Sequence, residues 1–412
     1  MSNGDAGAAP SAGELALAVR AWLAEREEAM LRDLSALVSL DSPSTDARLL
    51  GRTADWLIDW WSPLATPYPV VTLPGSAPHL LIELQNPRDR APLVLCHYDT
   101  VWSEGTAERW PFALAGEHAC GPGVLDMKAS IVLVRYALEG LLAVGGRLDR
   151  GIRVLLTADE EIHNPTSRAL ITELAQRSCA ALVMEPALSD GRLKTQRKGH
   201  ASVHVTVVGR SAHAGVEPEA GTNAAIEAAH VALAADALGD REAGTLVNVG
   251  VIRGGERPNI VPATAELEIE VRADSEVELG RVFEGLRRLN PVLPGARIEM
   301  AVEIRRPPMP RARQTDHLVA LARHVGEALD MSIDEGATGG VSEGNFTQAV
   351  GTPTLDGLGV VGRGAHTPDE RVLVSSLFER TALHAGMLAA LSGVDHADGP
   401  WSLDMGITSA IR

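Results

Sequence analysis

A chain of 412 residues exceeds the size at which one hydrophobic core keeps growing, which predicts two domains. Its formal net charge of −17 argues against a nucleic-acid groove, and no apolar run is long enough to span a bilayer. Cys96, Cys120 and Cys179 are scattered and form no Cys-x-x-Cys pair, so they offer no disulfide framework and suit a reducing compartment.

Residues 1–13 are small and polar, with neither a basic start nor an apolar core, and read as a disordered tail rather than a signal peptide. The expected location is therefore the cytoplasm. Glu14 to Leu40 has apolar residues at helical spacing and reads as one amphipathic helix, stopped by Asp41-Ser42-Pro43-Ser44. Asp46 to Trp61 reads as a second helix whose Trp56, Trp60 and Trp61 serve packing, and a strand-turn-strand passage then leads to His97. Lys128 to Ala143 is helical by its apolar spacing. Val94-Leu95, Ile152–Leu156 and Ala181–Met184 are short, strongly apolar runs, as expected of buried strands in an α/β sheet.

From Lys194 the pattern changes. Ala201–Val207, Leu267–Val271 and Ile298–Val302 alternate with period two, and Asn223–Ala237 and Ser275–Arg288 read as helices between them. The expected architecture is an α/β domain with a central, mostly parallel sheet over residues 14–193 and 308–412. An antiparallel α+β domain, 194–307, is inserted into it.

His97 with Asp99, Asp126, Glu160-Glu161, Glu185 and His366 follow, or lie close to, apolar runs or Gly/Pro turns. One histidine beside a strand is ordinarily structural, paired glutamates are ordinarily solvated, and Glu-Pro is ordinarily a turn. Their joint placement at strand ends favours a site, because ligands of open α/β sheets bind beyond the carboxyl ends of the strands. A lone carboxylate buried there would be costly. These residue types suit zinc, manganese or cobalt, with a bridging carboxylate if two ions bind. Asp99 lies two residues from His97, on the same face of the strand, and can accept its other ring N–H. A simple turn residue is the alternative. Glu160 is the general-base candidate, provided that Asn164-Pro165 lets the chain leave the strand so that two adjacent glutamates serve different roles. Asp159 reads as a cap. Cys96 sits in an apolar strand as an inert thiol.

Six stretches carry a resemblance: HYDTV at His97, GPGVLDMK at Gly121, ADEE at Ala158, MEPA at Met184, SAHAG at Ser211 and GAHTPDE at Gly364. They resemble, in order and approximate spacing over nearly the whole chain, the family of acetylornithine deacetylase, succinyl-diaminopimelate desuccinylase, aminoacylase and glutamate carboxypeptidase. RKG at Arg197, RPNIVPATAELEIEVR at Arg257 and TGGVSEGNFTQAVGTPTLDGLG at Thr338 resemble the glutamate carboxypeptidase branch in particular.

The resemblance implies a metal-dependent exopeptidase-like fold whose inserted domain is a dimerisation or lid module, hinged near Leu193 and Pro307-Pro308; an insert that simply stabilises a monomer is the alternative. It implies hydrolysis of an amide bond in a carboxylate-bearing substrate, a C-terminal amino acid or an N-acyl amino acid, at two divalent ions. Zinc is the first choice, with manganese or cobalt as alternatives. One ion would be held by His97, Asp126 and Glu185, and the other by Asp126, Glu161 and His366, with Asp126 bridging. His213 matches the family's transition-state histidine, and Asn259 and Arg272 match positions that hold a substrate carboxylate. Lys198 and Arg306 are further candidates for that work, and Gly339-Gly340 for backbone contacts. The chain departs from the family at His163-Asn164, where a small Gly-Ser pair is common, at Glu343, where Asp is usual, and at Arg363. These departures put specificity in doubt and leave every ligand in place. Cleavage of another C–N bond, as in 5-nitroanthranilate aminohydrolase, stands as the alternative.

Overall fold

A computed structural model of the protein describes residues 10–65, 71–73 and 77–393. Most of the expected tail, residues 1–9, lies outside the described residues. The first helix begins at Ala12 rather than Glu14. Ser11 and Glu14 form a reciprocal capping box that satisfies its free amides. The expected single helix to Leu40 is two, Ala12–Ala24 and Glu27–Val38. Its buried stripe, through Leu23 and Met30, is interrupted by the charged Arg26 and Glu27. There the chain turns, and the Arg26 guanidinium stacks on Trp22.

The chain divides into two compact units. The first comprises Met1–Thr195, Arg311–Ala337 and Ser342–Arg412, and the second Gln196–Pro310 and Thr338–Val341. Leu193 and Lys194 belong to the first because their amides bond to Asp334 and Asp356, whereas Arg197 and Met309 pair with each other inside the second.

The first unit is built on a six-stranded sheet. Leu93–His97 lies parallel to Ile152–Thr157 on one side and to Ala181–Val183 on the other, and Thr354-Leu355 extends the parallel set. The antiparallel strands His79–Leu84 and Val71–Leu73 finish the opposite edge. Both faces are covered, which explains the strongly apolar runs. Val94, Cys96, Val154 and Leu156 join the large core with the helices Ala12–Ala24, Ala129–Ala143 and Val374–Ser392. Leu93, Leu95, Leu155 and Val183 join a smaller core with Ile171, Leu174 and Phe346. A small antiparallel sheet includes His118–Cys120 and Arg371–Leu373.

The second unit is a four-stranded antiparallel sheet, with Thr264–Ala273 and Gly199–Val208 central and Leu246–Gly254 and Arg297–Arg306 at the edges. Alternate residues Val203, Val205, Leu267 and Ile269 pack against the helices Ala224–Asp236 and Glu276–Arg287. Glu266 and Glu268 point away from that core, into solvent. The edge strand Leu246–Gly254 was not foreseen. Two glycines and partial exposure along its length blur the alternation.

His384, in the last helix, is fully buried, and neither ring nitrogen has a partner among the described residues. Burial alone pushes its pKa from 6.5 down to about 3. The folded pKa lies below the unfolded one, so the unfolded chain takes up the proton first and stability falls as pH drops below 6.5. By pH 5 the loss is about 2 kcal/mol. Chemical denaturation at pH 7.5 and pH 5 should show wild type losing about that much more than His384→Leu.

Candidate metal centre

Three neighbouring parallel strands end together: Leu95 lies beside Val183 and His97 beside Thr157. The residues that follow carry the chemistry. Glu185 lies just past one strand end, Glu160 and Glu161 just past another, and His97 terminates the third.

His97 is buried, and its Nδ1 lies 3.0 Å from the backbone carbonyl of Asp99. Nε2 therefore turns to Asp126 Oδ1 at 3.1 Å and Glu185 Oε1 at 3.6 Å. The other oxygen of Asp126 faces His366 Nε2 at 3.4 Å, and His366 also lies 3.1 Å from Glu161 Oε2. One carboxylate thus presents an oxygen to each of two imidazoles. Carboxylate oxygens of Glu160 and Glu185 lie within 4.8 Å of a His97 nitrogen and of each other, as do those of Asp126 and Glu161.

The electrostatics fit a cationic occupant. Burial disfavours a charged His97, but its bonds to Asp126 and Asp99 outweigh that and hold the pKa well above the usual range. Hydrogen bonds to Asp126 and Glu161 push His366 up to about 11. Glu161 is pushed up to about 7, by burial first and then by neighbouring Asp126 and Glu160. Four carboxylates gathered around two imidazoles could hold a divalent cation.

Backbone geometry aims these groups. Gly123 (φ 69°) opens the Asp126 turn, where a Cβ would stand 2.6 Å from Thr100 Cγ2. Gly364 (φ 84°) precedes His366, itself at φ 63°, and a Cβ there would meet the Asp369 backbone at 2.7 Å. Asp99 is fully buried, and its role differs in detail from expectation. Its carboxylate lies 3.4 Å from the His97 ring, farther than its own carbonyl. It accepts the Glu160 and Glu161 amides at 3.2 Å and the Ser44 hydroxyl at 2.7 Å. It joins the histidine strand to the glutamate turn.

Other residues support the site. Asp159 accepts the amides and hydroxyls of Thr166 and Ser167 and caps the turn. Glu370, missed from sequence, is buried and accepts the amides of Gly123, Leu125 and Asp126, which fixes the Asp126 loop. Its only signal was the Asp-Glu ending GAHTPDE. Trp102 donates to the same carboxylate at 2.9 Å and packs edge-on against Trp110, so the pair is scaffold. Cys96 is buried and its thiol pushed well up by burial, as befits an inert group.

The sequence profile of the M20/M25/M40 peptidase family matches residues 93–390. The chain belongs to that family. It is similar to carboxypeptidase G2 of Pseudomonas sp. (strain RS-16), 28% identical over 380 residues that cover 89% of this chain and 90% of that protein. It is also similar to acetylornithine deacetylase of Salmonella arizonae, 30% identical over 337 residues, 76% of this chain and 84% of that one. Among solved structures, aminopeptidase PepT of Bacillus cereus superposes with a TM-score of 0.73 at 21% identity, covering 89% of this chain and 99% of that one. The YXEP protein of Bacillus subtilis, described as a dinuclear metal-binding peptidase of the M20 family, superposes with a TM-score of 0.68 at 14% identity, covering 89% and 98%. The two solved structures share the fold of this chain. As an M20/M25/M40 member, the chain is a metal-dependent hydrolase of C–N amide bonds.

The remaining candidates of this family member all lie in the second unit. His213 pairs with Ile260 in an antiparallel bridge, and the Ala214 amide bonds to the Asn259 carbonyl, so the histidine and Asn259 loops are adjacent. The Gly215 amide donates to His213 Nδ1 at 3.1 Å, which leaves Nε2 to carry the ring proton. Arg272 pairs with Glu270 and donates to the Gly339 carbonyl at 2.8 Å, which ties it to the Gly339-Gly340 turn. Lys198 is held 2.8 Å from Asp274, and Arg306 is fully buried at the end of its strand.

Proposed function

We propose that this chain is a paired-metal hydrolase that releases an amino acid, bearing its free carboxylate, from an N-acyl amino acid or from the C-terminus of a short peptide. The observation that carries the reading is Asp126, whose two oxygens face His97 at 3.1 Å and His366 at 3.4 Å. His97, Asp126 and Glu185 would hold one divalent ion, and Asp126, Glu161 and His366 the other. Zinc suits this mixture of imidazole and carboxylate, with manganese or cobalt as alternatives. The ions supply Lewis-acid polarisation and an acidified water.

The chain's own residues do the rest. Glu160 takes the proton of the attacking water and returns it to the leaving amine. Asp99 holds the His97 ring through its carbonyl and the Glu160 turn through its carboxylate. The ring proton on His213 Nε2 is suited to donate to the oxygen that becomes negative in the tetrahedral intermediate.

Homodimerisation is part of the proposal, with His213 serving the metal site of the partner subunit after closure. Ile226 and Leu233 on the Ala224–Asp236 helix and Ile252 on the edge strand are exposed apolar side chains that would suit such an interface. A cytoplasmic location suits the three free cysteines. None of the described helices is long and apolar enough to cross a membrane.

The substrate class is tested at Arg272, the proposed carboxylate clamp with Asn259. Arg272→Met is expected to cost about 2 kcal/mol or more in kcat/KM on free-acid substrates and little on their methyl esters, which wild type turns over poorly. If the arginine serves only its surface pair with Glu270, the effect stays below about 1 kcal/mol. Unchanged kinetics on every free-acid substrate would remove the carboxylate requirement and turn the search to other C–N bonds, including aromatic amines.

A further inference from the structure

Glu343 is a buried carboxylate at the start of the Gly344–Ala349 helix, far along the chain from the glutamate pair. One of its oxygens, Oε1, accepts the Thr157 hydroxyl at 2.6 Å and the Asn164 side-chain amide at 3.0 Å. Thr157 is the last residue of its strand, and Asn164 closes the turn that follows, its amide bonding back to the Asp159 carbonyl at 2.7 Å. Those two residues bracket Glu160 and Glu161. The turn is left-handed at His163 (φ 72°) and Asn164 (φ 54°), so it needs support from outside itself. Asn164 reaches across it as well, donating to Ser167 Oγ at 2.9 Å.

We propose that Glu343 is the positioning residue that clamps both ends of this turn and so sets where the Glu160 carboxylate lies. Two of the three departures noted in the sequence are then one device, since Asn164 supplies the donor and the glutamate has the reach to meet it while keeping Thr157. An aspartate would pull the acceptor back by about one carbon–carbon bond, roughly 1.5 Å, and would lose both contacts. A wider or mobile turn misplaces the base without removing it, and misplacement on that scale lowers turnover rather than substrate affinity.

This inference rests on Glu160 acting as the general base, and the test separates the two claims. Glu343→Asp, Glu343→Gln, Thr157→Val, Glu160→Ala and the double variant Glu343→Asp/Glu160→Ala are compared for kcat, KM and metal content in the metal-loaded protein. Glu343→Asp is expected to lose about tenfold or more in kcat, the worth of one charge-assisted hydrogen bond, with KM and metal content within about twofold. Glu343→Gln keeps an acceptor oxygen and is expected to recover most of the loss. Thr157→Val removes one anchor at constant shape and should give a smaller fall in kcat, which keeps the test decisive if Glu343→Asp does not fold. In the Glu160→Ala background Glu343→Asp should cost nothing further, because its effect passes through Glu160. Equal losses in both backgrounds, or wild-type kcat in both Glu343→Asp and Thr157→Val, would overturn the clamp while leaving the base intact. Full activity of Glu160→Ala would instead overturn the base assignment and the clamp with it.

Discussion

Glu160→Ala is expected to keep its metal and lose about two to four orders of magnitude in turnover, the usual worth of general acid–base catalysis. Glu161→Ala, one residue along, is expected to lose metal. The reasoning is geometric. Glu161 faces His366 at 3.1 Å and shares a ligand-sized cluster with His97 and Asp126. Glu160 lies instead with His97 and Glu185, so geometry alone would let it serve as ligand or as base. Chemistry separates the roles, because a base that only moves protons can be deleted without weakening a site that retains its other donors. Elemental analysis alongside kcat decides it: metal retained in Glu160→Ala and depleted in Glu161→Ala supports the assignment. Equal metal loss in both would make Glu160 a ligand and leave the base unassigned.

The parallel sheet and the clustering of the candidate ligands were legible in the sequence because both leave local marks. Buried strands read as short apolar runs, and His97, Glu161 and Glu185 sit at or just past their carboxyl ends. The supporting carboxylates were not legible in the same way. Glu370 acts on Gly123, Leu125 and Asp126 across some 245 positions of chain, and nothing in its neighbourhood distinguishes it from a solvated acid. Glu343 was visible as a departure, but its meaning depends on Thr157 and Asn164, which only folding brings to it. Asp99 was placed beside His97 by its spacing, yet its bonds to the Glu160 and Glu161 amides depend on how the neighbouring strand ends. Helix boundaries failed where charge interrupted an otherwise continuous stripe, at Arg26 and Glu27. In the second unit the inward alternation of the central strands was plain, whereas the edge strand Leu246–Gly254 has no fully buried face to announce it.

Asp126→Asn and His97→Ala carry the other large effect. His97 is buried among Asp99, Asp126 and Glu185, and Asp126 faces both imidazoles, one oxygen to each. Removing the shared carboxylate should weaken both ion positions, whereas removing His97 should empty one. Each is expected to abolish amide hydrolysis, a loss of at least about three orders of magnitude. The fold should survive, because the cores on either side of the sheet do not depend on these groups. Far-ultraviolet circular dichroism checks that the variants remain folded. The central claim meets its most direct test in wild type stripped with a chelator and titrated with zinc, manganese or cobalt while hydrolysis of N-acyl amino acids is followed. The account predicts no activity without metal and recovery that saturates at two ions per chain. It also predicts that His97→Ala binds one ion without recovering and that Asp126→Asn binds weakly at both positions. Full activity in the stripped protein, or full activity at a single ion per chain, would contradict it.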